Sequence, residues 1–257
     1  MLTRKGFLLL LLGFAAFLNA LPAAERKPHI VFMIGESEYD TKTTLPEFAK
    51  KELEPRGIRC SFAMAPSDAS NDFPGLEALA DADLLFVSVR RRTPTTEQME
   101  SIRKHVAAGK PVVGIRTASH AFALRGKEAK VPEGHADWPG FDREVLGGNY
   151  HDHYGKGLKT FVKVLPEAAK HPVLKGITTN EFQVLSHLYK NPELPKEVTI
   201  LMNARMEGRP EVEPVAWVNT AQGRRVFYTS LGSPEDFEVP EFRRLLRNGV
   251  MWALEKN

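Results

Sequence analysis

Arg116 stands where a buried-looking strand turns toward a helix, a position that carries chemistry in many α/β proteins. It follows the apolar run Val112–Ile115 and precedes Thr117, Ser119 and His120. In open α/β sheets, the turns after the carboxyl ends of the strands present reactive side chains. A nucleophile elbow would place Ser or Cys here, whereas a guanidinium neither attacks a carbonyl nor loses its proton in a protein. We therefore expect Arg116, Thr117 and Ser119 to bind substrate without acting as nucleophiles.

A second set of charged residues follows two other predicted strands. Glu36 comes after the first strand, and Arg90, Arg91 and Arg92 come after the third. Parallel strands bring their carboxyl ends to one rim, where ligands bind in a crevice. Guanidinium groups suit a carboxylate, a phosphate or several sugar hydroxyls. We expect these four residues to contact substrate. The alternative for the arginines is a solvated turn in which one of them pairs with an acid.

A third candidate segment contains Asn149, Tyr150, His151 and His153. Two histidines at positions i and i+2 of an extended segment point the same way. Because imidazole titrates near neutral pH, we expect His120, His151 and His153 to transfer protons. Asn149 and Tyr150 are expected to contact the substrate. No cofactor is predicted, since the segment has no HExxH motif and no cysteine ligand. A metal ion at the histidine cluster is the alternative.

The elements that position these residues follow from hydrophobic patterning. Short apolar runs alternate with segments of helical periodicity, which predicts an α/β fold with a doubly wound parallel sheet. The predicted strands are His29–Gly35, Arg59–Met64, Asp83–Val89, Val112–Ile115, Thr160–Leu165, Val198–Met202, Pro214–Val218 and Arg225–Ser230. The predicted helices are Thr44–Glu54, Thr95–Ala108 and Pro240–Glu255.

The remaining patterning concerns the middle and the ends of the chain. Residues 123–159 show no period, and a loop of that length is usually functional. No linker or repeat divides the sequence, so residues 25–257 are predicted to form one domain. Residues 1–24 have the order of a signal peptide, because Arg4 and Lys5 precede a short apolar run and then Ala23 and Ala24. We expect export to the periplasm or the medium, with no stable membrane insertion after cleavage.

Charge and cysteine content exclude several classes of partner. Removal of residues 1–24 lowers the formal net charge from +3 to +1. A nearly neutral chain offers no electrostatic basis for binding nucleic acid. Cys60 is the single cysteine, so no intramolecular disulfide can form in an oxidising compartment. The expected partner is a small molecule, and the oligomeric state is left open.

The chain resembles the ThuA-like (trehalose utilisation) family of the class I glutamine amidotransferase-like superfamily. The segments that carry the resemblance are VVGIRTASHAF at 112–122, VLGGNYHDHYG at 145–155, HPVLKGI at 171–177, PVAWVNTAQGRRVFYTSLGSPEDF at 214–237 and FRRLLRNGVMWAL at 242–254. The resemblance implies a flavodoxin-like, three-layer, mostly parallel fold. Amidotransferases of the superfamily use a Cys–His pair, and these positions are Arg116 and Ser233 here. Glutamine hydrolysis by that route is therefore not expected.

The resemblance also implies a role in disaccharide or keto-sugar metabolism. Together with the residues above, it predicts an exported enzyme that acts on a sugar or an oxidised sugar. Two alternatives fit the same residues: a carbohydrate-binding protein without catalytic activity, and a metal-dependent hydrolase that uses the histidine cluster. The fold alone does not determine the reaction.

Overall fold

The computed structural model describes residues 26–126, 128–155 and 157–255. The predicted signal peptide, residues 1–24, lies outside the described residues. Within that part of the chain, no helix has the length and apolar character needed to cross a membrane. That residues 25–257 form a single domain stays a prediction.

Nine of the eleven strands in the described residues form one sheet, and the other two form a short ribbon. The strands are β1 (His29–Gly35), β2 (Arg59–Met64), β3 (Leu84–Val89), β4 (Val112–Ile115), β5 (Asp152–His153), β6 (Thr160–Val164), β7 (Glu181–Val184), β8 (Tyr189–Lys190), β9 (Val198–Met206), β10 (Val212–Asn219) and β11 (Val226–Thr229). The large sheet has the order β2-β1-β3-β4-β11-β10-β9-β6-β7, and the ribbon pairs β5 with β8.

The large sheet is mixed, so the prediction of a mostly parallel sheet is wrong. The strands from β2 to β11 in that order pair in parallel. From β11 onward, β10, β9, β6 and β7 pair antiparallel. The connections explain the change, because a parallel pair needs a crossover of a dozen or more residues. Only residues 207–211 join β9 to β10, and such a short connection allows a hairpin alone.

Helices pack on both faces of the parallel half. They are α1 (Thr41–Phe48), α2 (Thr96–Ala107) and α3 (Pro240–Leu254). Phe32 of β1 faces the same apolar cluster as Phe48 of α1 and Leu246 of α3. The next residue, Met33, faces the opposite cluster with Met99 of α2. Because both faces of β1 are buried, its sequence is continuously apolar rather than alternating.

Most predicted elements are present, with differences at their ends. The strands β1, β2 and β4 have the predicted bounds. The first helix begins at Thr41, three residues earlier than predicted, and continues past Phe48 through a wide turn at Ala49–Leu53. The unpredicted strand β7 extends the antiparallel half, and β9 is four residues longer than expected.

Parallel pairing brings the carboxyl ends of four strands to one rim. These ends are Gly35 of β1, Val89 of β3, Ile115 of β4 and Thr229 of β11. The chain places β2 on one side of β1 and β3 on the other, so the strand order changes direction between β1 and β3. Ligands of open α/β sheets bind at such a change of direction. The rim between β1 and β3 is therefore the expected place for a ligand.

Candidate functional site

Backbone strain concentrates at this rim. Asp40, Arg91 and Arg116 follow β1, β3 and β4, and their φ angles are 48°, 54° and 45°. A non-glycine residue in this left-handed region costs about 1–3 kcal/mol and persists only where its surroundings fix it. The backbone N–H of Arg91 donates to the carbonyl of His120 at 3.1 Å. The Tyr228 hydroxyl donates to the carbonyl of Arg116 at 2.7 Å. Such strain is typical of functional sites.

The guanidinium of Arg116 is enclosed by the protein. Its Nη1 donates to the carbonyl oxygens of Ser230 at 2.6 Å and His187 at 3.3 Å. Its Cζ lies 4.2 Å from the ring centre of Tyr39 and 4.6 Å from that of Tyr189. The two rings offer their electron-rich faces to the cation. Arg116 therefore joins segments that are distant in the sequence.

This burial corrects one expectation about the strand end. Arg116 and Thr117 are both 0 % exposed, and neither side chain lines the cavity described below. Ser119 is also buried, and its hydroxyl bonds the carbonyl of Arg116 at 3.3 Å and Nδ1 of His120 at 3.1 Å. These three residues lie behind the rim and support it.

Glu36 is likewise committed to the local structure. Its carboxylate accepts the backbone N–H groups of Glu38, Tyr39 and Thr41 at 2.8–2.9 Å, and the Thr41 hydroxyl at 2.5 Å. A carboxylate with four such donors has little capacity left for a substrate. It fixes the loop that carries Tyr39 to the rim, rather than contacting the ligand as expected.

The three consecutive arginines have different environments. Arg90 forms an ion pair with Glu38 at 3.0 Å, which is the pairing expected of a solvated turn. Arg91 is half-buried and donates one bond to a loop carbonyl at 3.0 Å. Arg92 donates to the carbonyl of Gly35 at 3.1 Å and lies away from the cavity. Only Arg90 and Arg91 reach the candidate site, so the expectation for Arg92 is corrected.

The histidine segment is extended and includes β5. His153 of β5 stands opposite Tyr189 of β8. The backbone N–H of His151 donates to the carbonyl of Lys190 at 3.0 Å. Asn149 donates from its amide to the carbonyl of Pro192 and presents its oxygen to Nε2 of His151 at 3.3 Å. Asn149 therefore anchors the segment instead of lining the cavity.

His120 stacks on Tyr150, with ring centres 4.4 Å apart. Burial lowers the pKa of His120 to about 3, and the nearby charges of Arg91 and Arg90 act in the same direction. The ring is therefore neutral at physiological pH, which makes it a weak proton acceptor. The neutral ring of His120 can form hydrogen bonds and stack on another ring. It is less suited to the predicted proton transfer than the ring of His153.

The ring of His153 is exposed. One hydrogen bond determines which of its nitrogens carries the hydrogen. Nδ1 lies 2.8 Å from the carbonyl oxygen of Tyr154, which can only accept a hydrogen bond. In the neutral ring, Nδ1 therefore carries the hydrogen and Nε2 carries the lone pair. The ring centre of His153 lies 4.8 Å from that of His187. This geometry equips His153 to take up a proton at Nε2.

Asp142 is a buried carboxyl group beneath the same loop. Its Oδ2 accepts the backbone N–H of Tyr150 at 2.8 Å, while the buried Oδ1 has no hydrogen-bond partner among the described residues. Burial raises the pKa of Asp142 to about 7, against the smaller effects of that N–H and of Arg143. A Cβ atom at Gly148 would overlap the carboxylate, so a larger residue there would displace the Asp142 side chain. Asp142 thus positions the loop that carries Tyr150.

The side chains that reach the rim enclose a small polar cavity of about 130 Å³. It lies at the change of strand direction, between the segments that follow β1 and β3. Its lining consists of charged, imidazole and phenol groups: Glu38, Tyr39, Arg90, Arg91, His120, Arg125, Tyr150, His151, Asp152, His153 and Tyr189.

The cavity unites six predicted site residues and several that the sequence analysis missed. The predicted ones are Arg90, Arg91, His120, Tyr150, His151 and His153. Tyr39, Arg125 and Tyr189 also line it, and His187 lies directly behind. No local motif marks these four residues, since only the tertiary contacts of β8 and of the loop after β1 bring them here.

The segment after β11 has a structural role. Asp236 is fully buried and accepts the backbone N–H groups of Gly232 at 2.9 Å and Ser233 at 3.2 Å. It also accepts the hydroxyl of Ser186. The acid therefore caps the turn Pro234–Glu238, as expected of acids at a helix start. Ser233 lies in this turn, and its hydroxyl cannot serve as a base.

Two further features of the described residues bear on the choice of site. A larger cavity of about 740 Å³ lies at the opposite rim, near Lys110 and Arg225. It contains no histidine and no strained strand end, so we assign the chemistry to the smaller cavity. No three His, Cys, Asp or Glu side chains of the described residues are placed to ligate a metal ion together.

A family model described as ThuA, trehalose utilisation, matches residues 31–253. The chain belongs to the ThuA family. This confirms the resemblance found in the sequence and assigns the mixed α/β sheet to a family connected with carbohydrate use. No curated protein matches the chain.

Solved structures agree with the family fold. A ThuA-like protein from Bacteroides uniformis is 18% identical, with a TM-score of 0.62 over 95% of this chain and 97% of its own. A ThuA-like protein from Parabacteroides merdae is also 18% identical, with a TM-score of 0.59 over 89% and 90% of the two chains. The carbohydrate deacetylase Agd3 is 10% identical, with a TM-score of 0.54 over 87% of this chain and 32% of its own. At these identities the likeness shows the fold alone.

Proposed function

We propose that this ThuA-family protein is an enzyme that binds a sugar or an oxidised sugar in the rim cavity and transfers a proton on it. The observation that carries the proposal is the common cavity of Arg91, which follows β3, and of Tyr150 and His153, which belong to the later histidine segment. A guanidinium, an imidazole with an available lone pair and an aromatic ring are the groups that such chemistry requires.

Binding follows from the lining. Guanidinium donors of Arg90 and Arg91 bond to hydroxyl or carbonyl oxygens of the sugar. The phenol of Tyr150 adds an apolar ring surface and a hydroxyl. A volume of about 130 Å³ is below the roughly 300–1,000 Å³ of pockets for drug-sized ligands. The cavity therefore takes part of one sugar unit, and the rest of the sugar extends into solvent.

The proton step is assigned to His153. Its Nε2 accepts a proton from the carbon next to the carbonyl of an oxidised sugar, and Arg91 stabilises the negative charge that develops on the carbonyl oxygen. His120 remains neutral and orients Tyr150 by stacking. The family description, trehalose utilisation, supports a carbohydrate as substrate.

The experiment combines binding with isotope exchange. Thermal-shift screening against disaccharides, keto-sugars and sugar acids identifies a ligand that stabilises the protein. The exchange of its C–H proton in D₂O is then followed by NMR. We expect His153→Gln to retain binding and to slow exchange by roughly 100-fold or more, the usual contribution of a general base.

His135→Gln is the matched control. That histidine lies outside the cavity, where its Nδ1 contacts the carbonyl of Glu133 at 3.0 Å, and its loss should leave exchange unchanged. Equal exchange rates in the His153 variant and the wild type would refute the proton role. Sugar binding without any exchange or turnover in the wild type would favour a non-catalytic carbohydrate-binding protein.

Export is part of the same proposal. It rests on the charged, apolar and small-residue order of residues 1–24. When the full chain is expressed in a Gram-negative host, the protein should be in the periplasm or the medium with a new amino terminus near Ala23 or Ala24. Intact protein in the cytoplasmic fraction would contradict export.

A further inference from the structure

We propose that the sugar bound in this cavity carries a negatively charged group, a carboxylate or a phosphate, which pairs with Arg91 and Arg125. The inference rests on the proposed function, because it assumes that the cavity binds a sugar. It adds the charge of the ligand, and so narrows the substrate class from sugars in general to anionic sugars.

The acids that line the cavity already have cationic partners. Glu38 pairs with Arg90 at 3.0 Å. Asp152 pairs with Lys190 of the ribbon at 3.8 Å. Both carboxylates are therefore matched by a positive charge next to them, and neither is required to balance the other guanidinium groups of the lining.

Arg91 and Arg125 have no ion pair with an acid among the residues that the structure describes. Arg91 is half-buried, and its Nη1 donates one hydrogen bond to the carbonyl oxygen of Ala123. Arg125 is exposed at the mouth, within electrostatic reach of both Arg91 and Asp152. Two neighbouring guanidinium groups repel each other, and an anion between them removes that cost.

Neighbouring side chains respond to this positive charge. Burial is the main cause of the low pKa of His120, and Arg91 lowers it further. Burial raises the pKa of Tyr150, Arg91 and Arg125 oppose that rise, and Asp152 adds to it. The effect of Arg91 on both side chains has the sign expected next to a cation. An anion bound in the cavity would be attracted by the positive charge of these arginines.

The dimensions of the cavity agree with a single charged sugar unit. Its volume of about 130 Å³ equals that of roughly four water molecules in the liquid. Such a space admits a carboxylate or a phosphate with part of one sugar ring. The planar guanidinium matches either group with two parallel hydrogen bonds. A carboxylate and a phosphate share this chemistry, so the test includes both.

Calorimetric titration of the purified protein with three probes tests the inference: glucose, glucuronate and a glucose phosphate. We expect at least one anionic probe to bind about tenfold or more tightly than glucose at low salt. The advantage should shrink at high salt, because Arg125 is exposed and its charge is screened. Which anion binds more tightly distinguishes a sugar acid from a sugar phosphate.

Charge-removing variants complete the test. Arg125→Gln should abolish most of the anionic advantage without affecting folding. Arg209→Gln removes the same charge from an exposed ion pair with Glu211 outside the cavity, so it should change neither affinity. Glucose binding as tightly as both anions, or an advantage that survives in Arg125→Gln, would overturn the inference while the proposed function stands. Failure of every sugar to bind would overturn the proposed function itself.

Discussion

The ends of β3 and β4 are alike in sequence and backbone but differ in what they present. Each is followed by an arginine in the left-handed region, Arg91 after β3 and Arg116 after β4. Arg91 is half-buried and lines the cavity. Arg116 is fully buried and binds the carbonyl oxygens of Ser230 and His187.

The difference arises from what covers each strand end. β4 lies between β3 and β11, and the segment that leads into β8 packs over its end through His187 and Tyr189. The end of β3 borders the change of strand direction and stays open. An arginine at a strand end thus becomes a ligand-binding group or a structural link according to the remote segment above it. We expect the two arginines to respond differently to mutation.

The largest effect is predicted for Arg116→Ala. The substitution leaves the carbonyl oxygens of Ser230 and His187 without their donor and removes packing between Tyr39 and Tyr189. We expect the free energy of unfolding to fall by about 2–4 kcal/mol, measured by urea denaturation. Arg116→Gly should recover about 1 kcal/mol of this loss, because glycine adopts positive φ without strain.

Arg91 provides the contrast at the other strand end. Arg91→Ala should change the free energy of unfolding by less than about 1 kcal/mol, since the side chain is half-buried and has one hydrogen bond to a carbonyl. The expected loss in this variant is in ligand affinity. Equal destabilisation by Arg91→Ala and Arg116→Ala would remove the distinction between the two strand ends.

A pH-dependent effect on stability is predicted for Asp142→Asn. The pKa of Asp142 is about 7 in the folded protein against an ordinary value of 3.8, so the folded state binds the proton more tightly. Wild-type stability should therefore fall as the pH rises from about 4 to 7. The asparagine variant keeps an acceptor for Tyr150 and lacks this titration. Its stability relative to the wild type should rise on the order of 3 kcal/mol over that range.

Urea denaturation of both proteins at several pH values measures this difference directly. Subtraction of the two profiles cancels other titrating groups, such as His105, whose pKa burial lowers to about 4. A stability difference that does not depend on pH would show that Asp142 is ionised in the folded protein.

Much of the parallel half of the fold follows from the sequence. The strands β1, β2 and β4 are short apolar runs between turn residues, and their bounds are as predicted. The ribbon strands β5 and β8 have only two residues each, so they show no period that could be recognised. The antiparallel direction of the second half follows from the short connections between its strands. The lengths of those connections cannot be read from the sequence, because the ends of the strands are not marked clearly enough.

The candidate site also contains residues that the sequence predicts and residues that it does not. Arg91 and His153 are predictable, because one follows a clear strand and the other belongs to an alternating histidine pair. Tyr39 and His187 are not, since packing between segments about 150 residues apart places them beside Arg116. The position of Arg116 in the sequence also could not show that its side chain is buried, because the residues of β8 and the segment before it cover the end of β4.

A crystal structure of the protein with its best-binding sugar tests the central claim most directly. We expect the sugar to occupy the cavity of Arg91, Tyr150 and His153, with Arg91 bonded to the ligand. Arg116 should remain behind Tyr39 and Tyr189 without touching it. A sugar bound at the opposite rim near Lys110, or one bonded to Arg116 in place of Ser230, would contradict the account.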